Sequence, residues 1–432
     1  MAGRVGFELQ RRLFEDVETD ASAKASSTFV NNMSLPIHRW FRYSAGFSAL
    51  WVREVIQSAK AKLGNVRLLD PFAGSGTVLV EAARAGVPSF GVESHPFVAR
   101  VARIKANTAS DPTGFREYTR AILKHATKIV PEIEGYSPLI RKCYPDEPLA
   151  KLDQLKQAWL GRQDDPHADL GWLALAAILR ECSPVGTANW QYVLPKKTKS
   201  KSRHPFEAYK ARADQFCLDM AQAGHSAEDC TLLQGDAREL IGVPDDWASL
   251  VITSPPYPNN FDYADATRLE MTFFGEIAGW GDLQATVRKH LVRSCTQHVA
   301  PLVSNTAAIL ASSELDPIRP EIESVVAKLD EERHAHGGKK NYHTMIAAYF
   351  LDIAKVWRQL RRVTSANSTI CFVIGDSAPY GIHVAVDSWM SRLALAARFR
   401  SCSFEKTRDR NLKWKNRKHR VPLHEGRLWV EG

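Results

Sequence analysis

"NVRLLDPFAGSGTVLVEAARAGVPSFGVES", residues 65 to 94, changes its hydrophobic period twice. "NVRLLD" reads as a short apolar strand ending on Asp70. A turn carrying Gly74 and Gly76 follows, then "VLVEAARAG" at helical spacing with Gly86 just past the helix end. "SFGVES" (89 to 94) reads as a second strand, and "PFVARVARIKANT" as a second helix opened by Pro96 in its first turn. A strand-helix-strand unit of this kind sets its strands parallel, with a right-handed crossover. The glycines let the backbone approach a ligand and present N–H groups at a helix N-terminus. A phosphate loop would carry a Walker lysine or a GxGxxG spacing, and neither is present. The acid closing the first strand would repel phosphate. It suits a ligand with positive charge, such as an α-amino group or a sulfonium.

Working outward, "LPIHRWFRYSAGFSALWVREVIQSA" (35 to 59) gives an aromatic-rich turn and then a helix. Residues 110 to 228 are mostly helix-like, broken by Pro and Gly. Strand patterns resume at "CTLLQGDA" (230 to 237) and "ASLVITS" (248 to 254). A second helical stretch runs from Asp262 to Val363, interrupted by the polar patch "DEERHAHGGKKNYH" (330 to 343). "STICFVIGDS" (368 to 377) is a fifth strand and "VDSWMSRLALAAR" (386 to 398) a helix. "FRSCSFEKTR" and "RLWVEG" close the chain as a strand pair. The expected organisation is one α/β sheet with two large helical insertions. It divides into a cofactor-binding half at 1–109, an insertion at 110–228 with a possible role in target recognition, and a catalytic half at 229–275. A second insertion at 276–345 and the C-terminal part of the sheet at 346–432 complete it.

Composition narrows the classes. With 432 residues, 44% of them hydrophobic, the chain can bury a large core. No apolar run approaches the roughly 20 residues of a membrane span. The first residues are acidic and lack an apolar h-region, so a signal peptide is not expected. The seven cysteines are scattered without CxxC or Cys/His ligand spacing, as in reduced thiols of a cytosolic protein, and no metal is expected. A net charge of +9 points mildly to a polyanion.

Two more acids follow strand ends: Glu93, placed to take a ribose diol, and Asp236, near where an adenine amino group would lie. Each alone reads as a cap or a solvated charge. Three at successive strand ends are better explained as a nucleoside-binding crevice. "SLVITSPPYPNN" (249 to 260) then stops a buried strand with two prolines, which cannot donate to a sheet. Its bland reading is a stiff turn, and its sharper one a fixed polar shelf for a flat substrate. Together, "DPFAGSGT", Glu93, Asp236 and "SPPY" at 254 to 257 resemble the S-adenosylmethionine-dependent DNA amino-methyltransferases. "IHRWFRYSAGFS" (37 to 48) is similar to the methionine-side motif preceding the first strand in that family.

The resemblance implies a Rossmann-like class I methyltransferase sheet, mostly parallel with an antiparallel C-terminal strand. It implies S-adenosylmethionine as cofactor, on Asp70, Phe72, Gly74, Gly76, Glu93 and Asp236. An exocyclic base amine is a poor nucleophile, because its lone pair is delocalised into the ring. Acceptors aimed at its hydrogens favour the pyramidal geometry that can attack a methyl group. Ser254 and the Pro255 carbonyl would be those acceptors, Pro255 and Pro256 would fix them, and Tyr257 would stack on a flipped base. Asn259, Asn260, Phe261 and Tyr263 are candidates for the same pocket, with loop packing as the alternative. Serine at the first position of this motif leans towards cytosine N4 rather than adenine N6. An RNA base-amine enzyme is a further alternative. A 5-methylcytosine enzyme is excluded by the lack of a Pro-Cys dipeptide.

Two basic runs carry nucleic-acid candidates: Lys196, Lys197, Lys199, Lys201 and Arg203 in "KKTKSKSR" (196 to 203), and Lys413 and Lys415 in "KTRDRNLKWKNRKHR" (406 to 420). The expected partner is double-stranded DNA in a prokaryotic cytoplasm, beside the nucleoid, with a cognate restriction or defence component possible. The long insertion between the second and third strands is not the usual slot for a recognition domain.

Overall fold

Neighbouring residues of a strand face opposite ways, so the strand Leu68–Asp70 (β1) feeds two cores. Leu68 packs with Leu250, Ile252 and Cys371 against Trp51, Val52, Val55 and Ile56 of helix Ala49–Leu63 (α1). Leu69 packs with Val251, Ile370 and Phe372 against Ile346, Phe350, Ile353 and Trp357 of helix Tyr342–Val363. Each such side chain, fully buried, contributes about 1.5–3 kcal/mol. Trp357 adds an offset stack on Phe372, with ring centroids 4.4 Å apart. The computed structural model describes residues 29–43, 46–107, 111–185, 201–223, 230–410 and 421–432.

The remaining strands are Ser89–Glu93 (β2), Cys230–Gln234 (β3), Ala248–Thr253 (β4), Thr364–Gly375 (β5), Ser401–Arg410 (β6) and Leu423–Glu431 (β7). They form one seven-stranded sheet in the order β3-β2-β1-β4-β5-β7-β6. Strands β1 to β5 pair in parallel, and β7 runs antiparallel to both β5 and β6. This is the class I methyltransferase sheet. β5 begins four residues before the apolar pattern does, because Thr364 pairs with Ala248 ahead of a register shift.

Between β1 and β2, helix Thr77–Arg84 (α2) begins at Gly76, whose φ of 84° is left-handed. A Cβ there would stand 3.2 Å from Cα and Cβ of Ala102 in helix Pro96–Asn107 (α3). Gly76 therefore serves close helix packing. After α3 the chain adds helices Pro112–Ala126, Pro138–Cys143, Asp146–Leu160, Ala168–Cys182 and Pro205–Ala223 before returning to β3. The first of these starts with Asp111 accepting from the Gly114 N–H and Pro112 in its first turn. "LGWLALAAIL" in Ala168–Cys182 is apolar almost all round, and it is correspondingly buried in this bundle. The bundle grips the aromatic turn through Asp219, which accepts from Ile37 N (3.0 Å), Trp40 Nε1 (2.9 Å) and the Arg39 guanidinium. Between β4 and β5 lie Arg319–Ala335, Arg268–Phe274 and further short helical turns ahead of Tyr342–Val363. No helix among the described residues is long and apolar enough to cross a membrane.

Candidate active site

From β1 the strand order runs outward in both directions, and such a switch point opens a crevice beyond the strands' C-terminal ends. A cavity of about 490 Å³ lies along that edge, a usual size for a small-molecule site. Phe72, Gly74, Glu93 and Asp236 wall one part of it, with Tyr43, Gly46 and Phe47 from the aromatic turn. Glu93 accepts from Gly74 N and His95 N, both at 2.8 Å, so the second strand end holds the glycine turn in place. Burial raises the Glu93 pKa against those backbone hydrogen bonds. Asp236 meets the Arg238 Nε at 2.9 Å, and Arg238 reaches on to Asp352 at 3.2 Å. His95 also lines the cavity and bonds Thr267 Oγ1 at 2.9 Å; burial lowers its pKa to about 4, so the ring is neutral at pH 7.

The middle of the cavity is "SPPY". The Ser254 hydroxyl donates to the Val373 carbonyl of β5 at 3.1 Å. With its proton directed at Val373 the oxygen has lone pairs to accept with, and the Tyr257 hydroxyl is a second hydrogen-bonding neighbour of Ser254. Pro255 and Pro256 line the cavity beside it, as does Tyr257. The Tyr257 N–H points at Tyr263 Oη, 3.4 Å away, and Tyr263 meets Phe261 edge to face. Burial pushes the Tyr257 hydroxyl well above its ordinary pKa and that of Tyr263 to about 12. Both hydroxyls are therefore neutral at pH 7. The shelf is anchored from behind: Ser377 Oγ donates to the Pro258 carbonyl at 2.5 Å. Asp262, just past the shelf, takes a buried ion pair from Arg288 at 2.7 Å.

No family model matches the chain. The type II methyltransferases M.AvaI of Nostoc sp. and of Anabaena variabilis are each 25% identical to it over 411 residues, spanning 85% of this chain and 80% of theirs. The type II methyltransferase M.BsoBI of Geobacillus stearothermophilus is 22% identical over 432 residues, spanning 87% and 81%. The chain is a distant homologue of type II methyltransferases.

Against this homology, the expected site residues divide. Phe72, Gly74, Glu93, Asp236, Ser254, Pro255, Pro256, Tyr257, Asn259, Phe261 and Tyr263 meet at one cavity. Asp70 does not form its wall. It is 1% exposed and lies one layer behind, accepting from Thr253 Oγ1 (2.6 Å) and Phe72 N (3.1 Å). Gly76 is likewise behind the wall, against α3. Asn260 turns away: at φ 67° its Oδ1 accepts from Thr296 N (2.9 Å) and Thr296 Oγ1 (2.8 Å), which corrects its expected place in the pocket. Lys201 and Arg203 are exposed and outside the cavity, and Arg203 faces Glu181 at 3.6 Å. Lys196, Lys197, Lys199, Lys413 and Lys415 lie outside the described residues.

Sequence reasoning missed the far wall. Arg408, Arg410 and Glu425 close the cavity from β6 and β7. Arg408 and Arg410 sit inside the basic run that starts at Lys406, and their spacing of two places both on one face of a strand. That alternation was the available signal. Arg408 pairs with Glu425 at 2.8 Å. The Arg410 guanidinium lies over Tyr257, 5.4 Å from the ring centroid, and its Nη1 donates to the Asp376 carbonyl at 2.8 Å. Behind it, His424 Nδ1 meets Asp376 at 2.7 Å, and Asp376, Asp387 and His424 hold ligand-type atoms within 4.8 Å of one another. The cavity wall is thus built in sequence along the sheet edge. Glu93 and Asp236 follow β2 and β3 at one end, the shelf follows β4, and Arg408, Arg410 and Glu425 stand on β6 and β7 at the other.

Proposed function

We propose that this protein transfers a methyl group from S-adenosylmethionine to the exocyclic amine of a base flipped out of double-stranded DNA, with cytosine N4 as the target. One observation carries the reading: the acid-lined crevice and the Ser-Pro-Pro-Tyr shelf share a single cavity. The residues suit the cofactor. Glu93 would take the ribose diol, Asp236 the adenine amino group, and Phe72 an apolar face, while the buried Asp70 supplies negative potential towards a cationic ligand. S-adenosylmethionine, when bound, supplies an electrophilic methyl on sulfur.

This chain's own residues prepare the nucleophile. The Ser254 oxygen, its proton engaged by Val373, accepts one amine hydrogen, and the Pro255 carbonyl accepts the other. The amine lone pair is then directed at the methyl carbon. Proline rings on both sides of that peptide link keep the acceptors fixed, so little reorganisation accompanies reaction. Tyr257 offers a neutral ring to the base, and stacking of this kind is worth about 1–3 kcal/mol. The flipped base stays near neutral rings and out of water, where the fixed acceptors act most strongly.

Similarity to type II methyltransferases supports DNA as substrate and a restriction partner that reads the same sequence. The helices between α3 and β3 are proposed as the recognition surface, with the two basic runs contacting phosphates. Nucleoside mass spectrometry on DNA and on RNA, each incubated with the protein and methyl-labelled S-adenosylmethionine, tests the reading. Labelled N4-methylcytosine in DNA is expected. N6-methyladenine alone would overturn the base assignment, and label confined to RNA would overturn the substrate.

A further inference from the structure

The far wall of the cavity presents two arginines of unequal freedom. Arg408 is neutralised by Glu425. Among the described residues Arg410 makes no ion pair, and they take one of its five N–H donors, at the Asp376 carbonyl. Its Cζ stands 5.4 Å from the Tyr257 ring centroid, beyond the roughly 3.5–4.0 Å of direct face contact. The guanidinium therefore stands near the ring without touching its face. A base stacked on Tyr257 would meet that guanidinium at its edge.

The edge matters because it differs between the candidate bases. In cytosine the amine at C4 is followed round the ring by N3 and then O2, two adjacent acceptors. In adenine the amine at C6 is followed by N1, an acceptor, and then by C2–H, which accepts nothing. A planar guanidinium offers two parallel N–H groups and matches the cytosine edge as it does a carboxylate. Against adenine one of those donors would be left facing a carbon. With the amine held at Ser254 and Pro255, the shelf fixes one end of the base and leaves the N3/O2 edge to be read.

We propose that Arg410 is the specificity-determining residue that reads the N3/O2 edge of the flipped cytosine. The inference rests on the base-amine reading of this cavity. Gly375 supports it. A Cβ at that position would come within 2.7 Å of Arg410 Nη1 and 3.1 Å of Tyr257 Cε2, so the absence of a side chain leaves both groups their place.

The test compares full-length wild type with Arg410→Ala and Arg410→Lys on plasmid DNA from a methylation-free host. It measures N4-methylcytosine and N6-methyladenine yields, kcat, KM for DNA, and the salt dependence of DNA binding. S-adenosylmethionine affinity by calorimetry serves as the folding control. Both variants are expected to lose about 10- to 100-fold in kcat for cytosine, the scale of one bidentate base contact. The salt slope should not change, and lysine should not rescue because it lacks the fork. Full activity in Arg410→Lys, or a slope reduced by about one unit with activity restored at low salt, would make Arg410 a phosphate contact and overturn the inference. These outcomes leave the base-amine reading standing. Failure of that reading shows instead in the wild type, as no methylated DNA base, while N6-methyladenine alone would remove the cytosine edge on which the inference depends.

Discussion

Replacing Asp70 by asparagine should stabilise the protein and weaken its hold on cofactor. The carboxyl is 1% exposed. Burial raises its pKa to about 7; hydrogen bonds from Thr253 and Phe72 pull the other way, and Glu93 adds to the rise. Because the folded value lies above the ordinary 3.8, the folded state keeps a proton that the unfolded chain releases between about pH 4 and 7. Stability referable to this group is therefore fully present below pH 4, falls as pH climbs, and levels off above pH 7. The gap corresponds to roughly 4 kcal/mol at pH 8 and about half a kcal/mol at pH 4. Both hydrogen bonds fall on a single oxygen, Oδ1, so an asparagine carbonyl can accept both without ionising. Urea unfolding from pH 4 to 8 should show Asp70→Asn pulling ahead of wild type as pH rises, by up to about 4 kcal/mol. Calorimetry should show S-adenosylmethionine binding weakened by less than the roughly 1–3 kcal/mol of a direct charge-assisted hydrogen bond, because the carboxyl stands behind the cavity wall. Parallel pH curves for the two proteins would mean that the carboxylate is ionised throughout, and the reasoning would fail.

Three further outcomes follow from the same geometry. Ser254→Ala removes one of the two proposed acceptors while leaving the prolines and the proposed cofactor crevice intact, so kcat in single-turnover assays should fall on the order of 10²-fold with cofactor affinity unchanged. Gly375→Ala should fold normally but push the Arg410 guanidinium, and after it the Tyr257 ring, off their positions, seen as a raised KM for DNA; unchanged kinetics would show that both groups have room to spare. Asp262→Ala strands Arg288, which is 2% exposed, without its partner and should cost roughly 3–5 kcal/mol in denaturant titrations. The Asp262 pKa is held near 2 because hydrogen bonds from His298 and Arg288 outweigh burial, so its contribution should persist down to about pH 4 and disappear as pH falls towards 2.

The parts of the site that were legible in the sequence are those where the backbone itself carries the signal. "DPFAGSGT" announces a strand-turn-helix corner through glycine, and "SPPY" announces a strand end through proline. The strand ends Asp70, Glu93 and Asp236 followed from hydrophobic period alone. Legibility failed where side-chain direction had to be inferred from sequence distance. Asn260 lies three residues beyond Tyr257, yet its left-handed backbone sends the amide to Thr296 instead of the cavity. Asp70 ends its strand as expected, but Thr253 on the neighbouring strand draws its carboxyl inward.

The two arginines of β6 show why the far wall was out of reach. Arg408 and Arg410 are the same residue type, two apart on one strand face, and nothing local separates them. What separates them is the ladder. β7 runs antiparallel to β6 with Arg408 opposite Glu425 and Arg410 opposite Leu423. The register shift between Lys406 and Arg408 sets that pairing. A slip of two residues would instead put Glu425 opposite Arg410, neutralising it and freeing Arg408. Which arginine remains available at the cavity is thus decided by register, through a carboxylate seventeen positions further along the chain from Arg408. Strand register is fixed by cross-strand packing and by turn geometry. A reading of residues in order can find the basic run, but it cannot tell Arg408 from Arg410.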